Sequence, residues 1–486
     1  MKGMNKEMRE LLKEVLERIK PTTDELAKAR TLFDKIRNII EKELTKRISY
    51  EFMVELEGSV AKGTALRGEL DLDIFVLIRN EKLSNEWIER EVLNPLINAL
   101  EASGYVVELK YASHPYIRVM AEIEVDIVPA YWAMSVEEIK TSVDRTPFHT
   151  RFVKEQIEKK PELADEIRLT KKFFKGIGAY GAEMKTQGFS GYLSEILTIR
   201  YGSFLDLLRA MSKWRPPEII TTAPHQPPKD EFIKLFEATP LIVPDPVDWR
   251  RNAAAAVSLR TMARACLAAS YFLRKPSLSF FFPCTPSYGA EDLCNALKIL
   301  RSHGIESTVL LLSPTDKSFP PETGWGEIRR LERRLRSVAK GLNFTIVYTD
   351  SFFDEDTKNA YIYVETWNGH GDYELRTGPD AFTHPNAENF LNHYLADAEA
   401  IGPWIGHNGV LYVVRRRKYR SIKELVASRK DEFRTKHFHV ALFASDCFSI
   451  LSLPGMDKPE VLTWLMEVVK RVEPWLRTCS EAKRLT

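Results

Sequence analysis

Asp71 and Asp73, in the run Asp71-Leu72-Asp73-Ile74, are the side chains of this sequence best spaced to do chemistry together. In an extended strand, residues i and i+2 share a face. The two carboxylates therefore project side by side, while Leu70, Leu72 and Ile74 enter a core. Adjacent carboxylates repel and need a counter-charge. A pair of magnesium ions meets that need, because Mg2+ takes carboxylate and phosphate oxygens. Eleven residues separate this run from Gly58-Ser59 upstream. That turn offers backbone N–H groups and a hydroxyl to a triphosphate, at the start of a helix, and Gly58 lets the backbone come close to it. A bare Asp-x-Asp is common on edges and loops; the Gly-Ser and the alternating apolar residues give this one meaning.

A third carboxylate belongs on a neighbouring strand. Ala121 to Pro129 alternates Glu122, Glu124 and Asp126 against Ile123, Val125 and Ile127. Periodicity puts all three acids on one face and does not choose among them. Other patterns carry less. Gly176-Ile177-Gly178-Ala179-Tyr180-Gly181 matches a dinucleotide fingerprint, but it follows a helical pattern rather than a strand. His437-Phe438-His439 has no third metal ligand near it in sequence. The five cysteines, Cys266, Cys284, Cys294, Cys447 and Cys479, include no Cys-x-x-Cys pair and are read as buried free thiols.

The elements that must position these groups follow from periodicity. Residues 6–19 carry one apolar helical stripe. Thr22 to Glu25 offers a capping box for a second helix reaching about Leu44. Segments 50–57, 70–77, 104–111, 116–120 and 122–128 read as strands, with a helix over 86–102. Residues 150–212 read as helices, five prolines between 216 and 228 mark a boundary, and a helix covers about 249–273. Beyond 307 the order is strand (308–312), helix (328–342), strand (344–348), strand (361–366), helix (384–400), strand (410–414) and helix (457–472).

Net charge is +2 over 486 residues, which neither advertises nor excludes a nucleic-acid partner. Residues 411–440, however, hold ten Lys/Arg and three acids, a local surplus of +7 suited to phosphates. No apolar run approaches the roughly 20 residues that span a bilayer, and the charged N-terminus has no signal core. The expectation is a cytoplasmic protein with no membrane partner.

Five stretches taken in order resemble the polymerase-beta-type nucleotidyltransferases, and among them the archaeal-type, class I, CCA-adding enzymes. They are Gly58 to Gly68 with Asp71 to Phe75; Glu124 to Tyr131; Ser142 to His149; Tyr180 to Glu183 with Gly188 to Leu193; and Val243 to Asp248 with Arg251-Asn252. One departure is Glu57, where the family has an apolar residue. The resemblance implies an α+β multidomain fold: a nucleotidyltransferase head (1–148), a helical neck completing the nucleotide pocket (149–273), an α/β body (274–370), a tail that contacts tRNA (371–445) and a C-terminal helical segment packing on the body (446–486). It implies Asp71, Asp73 and Asp126 as catalytic ligands of two Mg2+ ions. It implies that Ser59 and Lys62 hold the phosphates of the incoming nucleotide, and that His149, Lys171 and Tyr180 contact its triphosphate and sugar. Arg251 aligns with the arginine that reads the incoming base. The implied activity is addition or repair of the 3′-terminal CCA of tRNA from CTP and ATP without a nucleic-acid template, by a homodimer. A poly(A) polymerase or another nucleotidyltransferase on the same head, and a catalytically silent RNA-binding module, are the alternatives.

Three of these residues also have blander readings. Lys171 could be an exposed helix lysine, His149 a hydrogen-bonded loop histidine, and Arg251 a helix-start arginine paired with Asp248. Arg251 has physics of its own, because a guanidinium only donates hydrogen bonds. Cytosine N3 and O2 and adenine N1 accept on the pairing edge, whereas the N–H groups of uracil N3 and guanine N1 oppose a donor.

Overall fold

The computed structural model describes residues 6–477 except 81–82, 112–113, 223–228, 237–238, 285 and 368–370. Pro224, Pro227 and Pro228 of the proline-rich boundary, and Cys479, lie outside the described residues. The chain forms two compact units, Met1–Cys284 with Glu473–Arg477, and Thr285–Val472. Among the described residues no helix is long and apolar enough to cross a membrane.

In the first unit, helix α1 (Lys6–Ile19) buries Met8, Leu12, Val15 and Ile19, the stripe its spacing predicts. Helix α2 (Thr23–Leu44) starts at the expected capping box. The Thr22 hydroxyl accepts from the Glu25 amide at 3.1 Å, and the Glu25 carboxylate accepts from the Thr22 amide at 2.7 Å. Glu25 also accepts from the Gly68 amide at 3.0 Å, which ties this helix start to the loop between the Gly-Ser turn and the aspartates.

A five-stranded sheet follows: β1 (Phe52–Glu57), β2 (Asp71–Ile78), β3 (Val106–Tyr111), β4 (Pro115–Met120) and β5 (Glu124–Tyr131), in the order β1-β2-β5-β4-β3. All pairs are antiparallel except β2 with β5. Leu72, Ile74 and Val76 of β2 and Val125 and Ile127 of β5 point to one face, where Ile36 and Ile40 of α2 and Leu96 and Leu100 of the Asn94–Ala102 helix cover them. The opposite face carries Asp71 and Asp73 and then turns apolar at Phe75 and Leu77. The expected fifth strand began at Glu122, but the observed strand begins at Glu124 and runs on to Tyr131.

Residues beyond 145 supply helices Thr146–Lys159, Leu163–Gly176, Gly191–Tyr201, Phe204–Met211 and Leu259–Arg274. Their core is dense in phenylalanine. The Phe173 ring lies 5.5–6.2 Å, centroid to centroid, from those of Phe174, Phe204, Phe272, Phe280 and Phe281. Gly176 closes its helix where a Cβ would meet the Phe280 carbonyl at 2.0 Å. The glycine-rich run that begins there thus follows a helix rather than a strand, and its first glycine serves packing.

The second unit holds an antiparallel sheet of Phe438–Ala444, Ile305–Pro314, Ala360–Trp367 and Ile346–Phe353, in that order. A three-stranded sheet joins Tyr373–Asp380, Val410–Arg416 and Ile401–Ile405. The helix expected over 384–400 ends at Leu395, and 401–405 is extended. His437 is buried with Nδ1 3.0 Å from the Glu327 carboxylate, a structural pair rather than a metal ligand.

The reading of the cysteines as free thiols is corrected. Cys294 and Cys447 form a disulfide with a Cα–Cα distance of 5.2 Å, and Cys266 is free but only partly buried. A sequence separation of 153 residues leaves no local signature of the pairing.

Because Phe173 sits at the centre of the aromatic core, Phe173→Ala is expected to cost about 3–5 kcal/mol. Urea unfolding followed by tryptophan fluorescence would measure it, and a loss below about 1 kcal/mol would show that the core is not organised around this ring.

Candidate active site

The register of the sheet brings the acids together. Glu57 pairs with Asp73 across β1 and β2, Asp73 with Asp126 across β2 and β5, and Asp126 with Arg118 across β5 and β4. Directly opposed residues share a face, so three carboxylates and one guanidinium form a row across four strands. Asp71 and Glu124 are opposed one step away. Glu122 precedes the strand and takes no place in the row.

Like charges so close shift one another. Burial and then the Asp126 carboxylate push Asp73 up to about 6. Burial, then Glu124 and Asp126, also raise Asp71. Glu57 is 2% exposed, and burial pushes its carboxyl up to about 7. Arg118 answers part of this charge. It grips Asp126 with two hydrogen bonds of 2.8 Å and reaches Glu124 at 3.1 Å.

With Asp126 turned to Arg118, no three His, Cys, Asp or Glu side chains among the described residues converge closely enough to hold a metal ion as they stand. The donor set nevertheless fits a hard divalent cation. It is all carboxylate, it carries more negative charge than Arg118 offsets, and Asp71 and Asp73 are raised by burial and then by neighbouring acids.

Gly58 begins a four-residue helix, α3 (Gly58–Ala61), with φ +69°. A Cβ there would stand 1.8 Å from Asp73 Oδ2, so only glycine lets the turn lie against the aspartate. Next to this turn opens a cavity of about 430 Å3 lined by Ser59, Thr64, Asp71, Lys171, Lys175 and Tyr180.

Lys171 is not an exposed helix lysine. It is 3% exposed, and its ammonium donates to Glu195 Oε1 at 2.8 Å and to the Thr64 hydroxyl at 3.0 Å. Lys62 donates to the other oxygen of Glu195 at 2.7 Å, and Thr64 donates to Oε1 at 2.7 Å. Burial would raise the Glu195 carboxyl, but Lys171 and Lys62 hold it down at about 2. One turn before Lys171, Arg168 donates to the carbonyls of Gly63 and Ala65 at 2.5 and 3.0 Å. The Leu163–Gly176 helix thereby clamps the loop that follows the Gly-Ser turn. Tyr180 lies along the same wall, with its hydroxyl so close to Gly191 that a Cβ there would stand 2.9 Å away.

His149 and Arg251 meet at a second buried acid. Asp245, fully buried, accepts from His149 Nε2 at 2.8 Å, Tyr192 Oη at 3.0 Å and Arg251 Nη1 at 2.9 Å. Burial works against its charge, but the His149 hydrogen bond, the Val247 amide and Arg251 keep it at about 2. The His149 ring stacks on Tyr192 with centroids 3.8 Å apart, and Lys62 Nζ lies 6.0 Å from the Tyr192 ring centroid. His149 is thus in a helix, not a loop. Arg251 is paired with Asp245, whereas Asp248 pairs with Arg145 at 3.1 Å. Arg251 is not at a helix start either. Asn252 accepts from the amides of Val243 and Ala254, both at 2.9 Å, and holds 243–254 in turns before the Leu259–Arg274 helix.

Ser59, Lys171, Tyr180 and Asp71 therefore share one cavity, and Lys62 joins it through Glu195. His149 and Arg251 gather beside it on Asp245. Sequence reasoning missed Glu195, Thr64, Tyr192, Asp245 and Arg118. Of these, Thr64, Tyr192 and Asp245 lie within the stretches that carry the resemblance, and Arg118 is the lone cation in a strand facing acids.

Gly58→Ala is expected to lower turnover at least about a hundredfold, by displacing Asp73 about 1 Å. The melting temperature should fall as well, because alanine is strained at φ +69°. Steady-state rates and thermal denaturation on one preparation measure both, and an active alanine variant would show that the turn does not press on Asp73.

A model described as a nucleotidyltransferase domain matches residues 34–160, and one described as the second domain of tRNA nucleotidyltransferase matches residues 165–282. The chain is 34% identical over 469 residues to the CCA-adding enzyme of Sulfurisphaera tokodaii, covering 96% of this chain and 99% of that one. It is 38% identical to the CCA-adding enzyme of Saccharolobus shibatae, covering 83% and 88%, and 34% identical to that of Aeropyrum pernix, covering 83% of each. Among solved structures, a cytoplasmic RNA terminal U-transferase superposes with a TM-score of 0.46 at 16% identity, covering 56% of this chain and 96% of that one. The Cid1 poly(U) polymerase does so with a TM-score of 0.45 at 17% identity, over the same shares. With matches spanning nearly the whole chain at more than 30% identity, this protein belongs to the family of CCA-adding enzymes, the tRNA nucleotidyltransferases.

Proposed function

We propose that the chain completes or repairs the 3′-terminal CCA of tRNA from CTP and ATP without a nucleic-acid template, with Asp71, Asp73 and Asp126 as the ligands of two Mg2+ ions. The observation that carries this reading is the cross-strand row that sets Asp73 against Asp126, next to a cavity that Lys171 and Lys175 line together with Asp71 and Glu69. The tRNA 3′ oxygen bonds to the α-phosphorus of the nucleotide, and the bond to the β-phosphate oxygen breaks to release pyrophosphate. When bound, the magnesium pair assists loss of the hydroxyl proton and neutralises the leaving group. Asp71 and Asp73 would hold the ions, and Asp126 would serve the one that activates the attacking hydroxyl.

Ser59 and Lys62 hold phosphates, while His149, Lys171 and Tyr180 face triphosphate and sugar. Arg251, 42% exposed at its side chain, is anchored by one nitrogen on Asp245 and keeps further donors for a base. Those donors suit cytosine and adenine and oppose uracil and guanine on the pairing edge.

The second unit supports tRNA contact less broadly than its sequence charge suggests. Within 411–440, Arg415, Arg416, Arg417, Arg420 and Arg429 are ion-paired to acids of the same unit. Arg416 and Arg420 are exposed even so, and Lys418, Lys423, Lys430, Arg434 and Lys436 are likewise exposed to a phosphate backbone. We carry forward the five-part division of the chain, a homodimer and a cytoplasmic site of action as parts of this reading. The Cys294–Cys447 disulfide is the observation that weighs against the cytoplasm, where thiols are kept reduced in most cells.

The deciding experiment incubates tRNA lacking its CCA end with labelled CTP and ATP, separately and together, with Mg2+ and with chelator. Three added nucleotides are expected only with both substrates and metal; a long homopolymer would mean a poly(A) polymerase instead. Asp126→Asn should abolish incorporation while nucleotide binding persists, and full activity in that variant refutes its role. Arg251→Ala should raise incorporation of UTP and GTP relative to CTP and ATP in the same assay. Affinity for tRNA should fall steeply with salt, and replacing Lys418, Lys423, Lys430, Arg434 or Lys436 with Gln should flatten the log–log slope by about one. A slope unchanged in all five variants would remove 411–440 from the interface.

A further inference from the structure

Lys62, Lys171 and Glu195 form a buried group with an odd charge count. Their side chains are 9%, 4% and 0% exposed, and each ammonium binds its own oxygen of the one carboxylate. A buried ion pair needs one acid per base to balance. Within the group two bases on one acid leave a positive surplus, part of which Lys62 turns toward the carboxyls of Asp73 and Glu57. Such a surplus is tolerated where an anion completes it, and the group reaches the cavity through Lys171, which lines it with Ser59, Thr64 and Tyr180.

The donors are divided unequally. An ammonium has three. Lys171 directs hydrogen bonds to Glu195, to the Thr64 hydroxyl and to the Thr64 carbonyl at 3.4 Å. Among the described residues Lys62 has one hydrogen bond, to Glu195, so two of its donors are uncommitted. Thr64 Oγ1 donates to Glu195 and accepts from Lys171, closing the triangle.

We propose that Glu195 is a positioning residue for the nucleotide: by gripping both ammonium groups from the Gly191–Tyr201 helix, it presets Lys62 as the phosphate-binding hand and Lys171 as its fixed buttress. This deepens the proposed function and rests on reading the cavity as the triphosphate site. Glu195 itself does not touch substrate. It keeps two mutually repelling lysines charged and aimed, so the chain need not organise them when the nucleotide arrives.

Inorganic tripolyphosphate is the direct probe, read by calorimetry on the full chain, beside the KM and kcat for CTP and ATP on tRNA lacking its CCA end. Glu195→Gln keeps the shape and loses the charge. It is expected to weaken tripolyphosphate binding about tenfold or more and to raise the KM of CTP and ATP in parallel, with a smaller change in kcat. Because Glu195 acts through Lys62, the double variant Lys62→Met with Glu195→Gln should bind tripolyphosphate no worse than Lys62→Met alone. Unchanged tripolyphosphate binding in Glu195→Gln, or losses that add in the double variant, overturn the proposal. If Glu195→Gln fails to fold, Thr64→Val removes one hydroxyl from the same triangle and should weaken tripolyphosphate in the same direction; unaltered binding there overturns it too. A wild-type chain that binds tripolyphosphate but adds nothing to tRNA refutes the functional reading and leaves the role of Glu195 intact.

Discussion

Repulsion between carboxylates held at cross-strand distance governs the head of this protein. Hydrogen-bonding register, not side-chain preference, puts Glu57, Asp73 and Asp126 next to one another. Left alone such a row would splay or protonate; burial first, and then the Asp126 carboxylate, push Asp73 up to about 6. The structure contains the row on three sides. Strands β2 and β5 bury Leu72, Ile74, Val125 and Ile127 on the opposite face, which fixes the register. Arg118 grips Asp126 from β4. Gly58 brings the turn so close to Asp73 that the carboxylate has little room to swing.

The helices beyond residue 145 do for positive charge what the sheet does for negative charge. One helix, Leu163–Gly176, faces two ways. Phe173 and Phe174 anchor it in the aromatic core, and Arg168 and Lys171 reach the loop after the Gly-Ser turn. Two fully buried acids, Glu195 and Asp245, then organise the cations. Glu195 takes Lys62 and Lys171, and Asp245 takes His149 and Arg251. Tyr192 joins the two groups, stacked on His149 and bonded to Asp245 with Lys62 beyond its ring. The cations are thereby held by buried acids, which keeps their donors rigid; in the proposed reading those donors meet a triphosphate.

In the second unit the same physics limits a surface. Arg415 and Arg417 turn inward to Glu374, and Arg417 is nearly buried. Their charge stabilises the three-stranded sheet and its surroundings and is not offered to solvent. The lysines of 418–436 remain outward, so the phosphate-facing charge is smaller than composition implies and is concentrated on fewer side chains.

Local rules made much of this legible in the sequence. Alternation put Asp71 and Asp73 on one face, the Thr22–Glu25 box marked a helix start, and helical stripes found α1 and the Leu163–Gly176 helix, because period and capping depend on neighbours a few residues away. The order of five motifs marked the family. What the chain alone left open were pairings between distant residues. Three acids alternated before Pro129, and only the register against β2 set Asp126 opposite Asp73 and left Glu122 out. Lys171 looked like a solvent lysine until a carboxylate 24 residues on met it in the fold. Asp245, not Asp248, took Arg251, and Cys294 found Cys447 across 153 residues. Sequence determined which side chains could share a face, since that is set by backbone geometry. Tertiary structure decided which of them meet, since that depends on strand register and helix docking driven by burial of apolar surface.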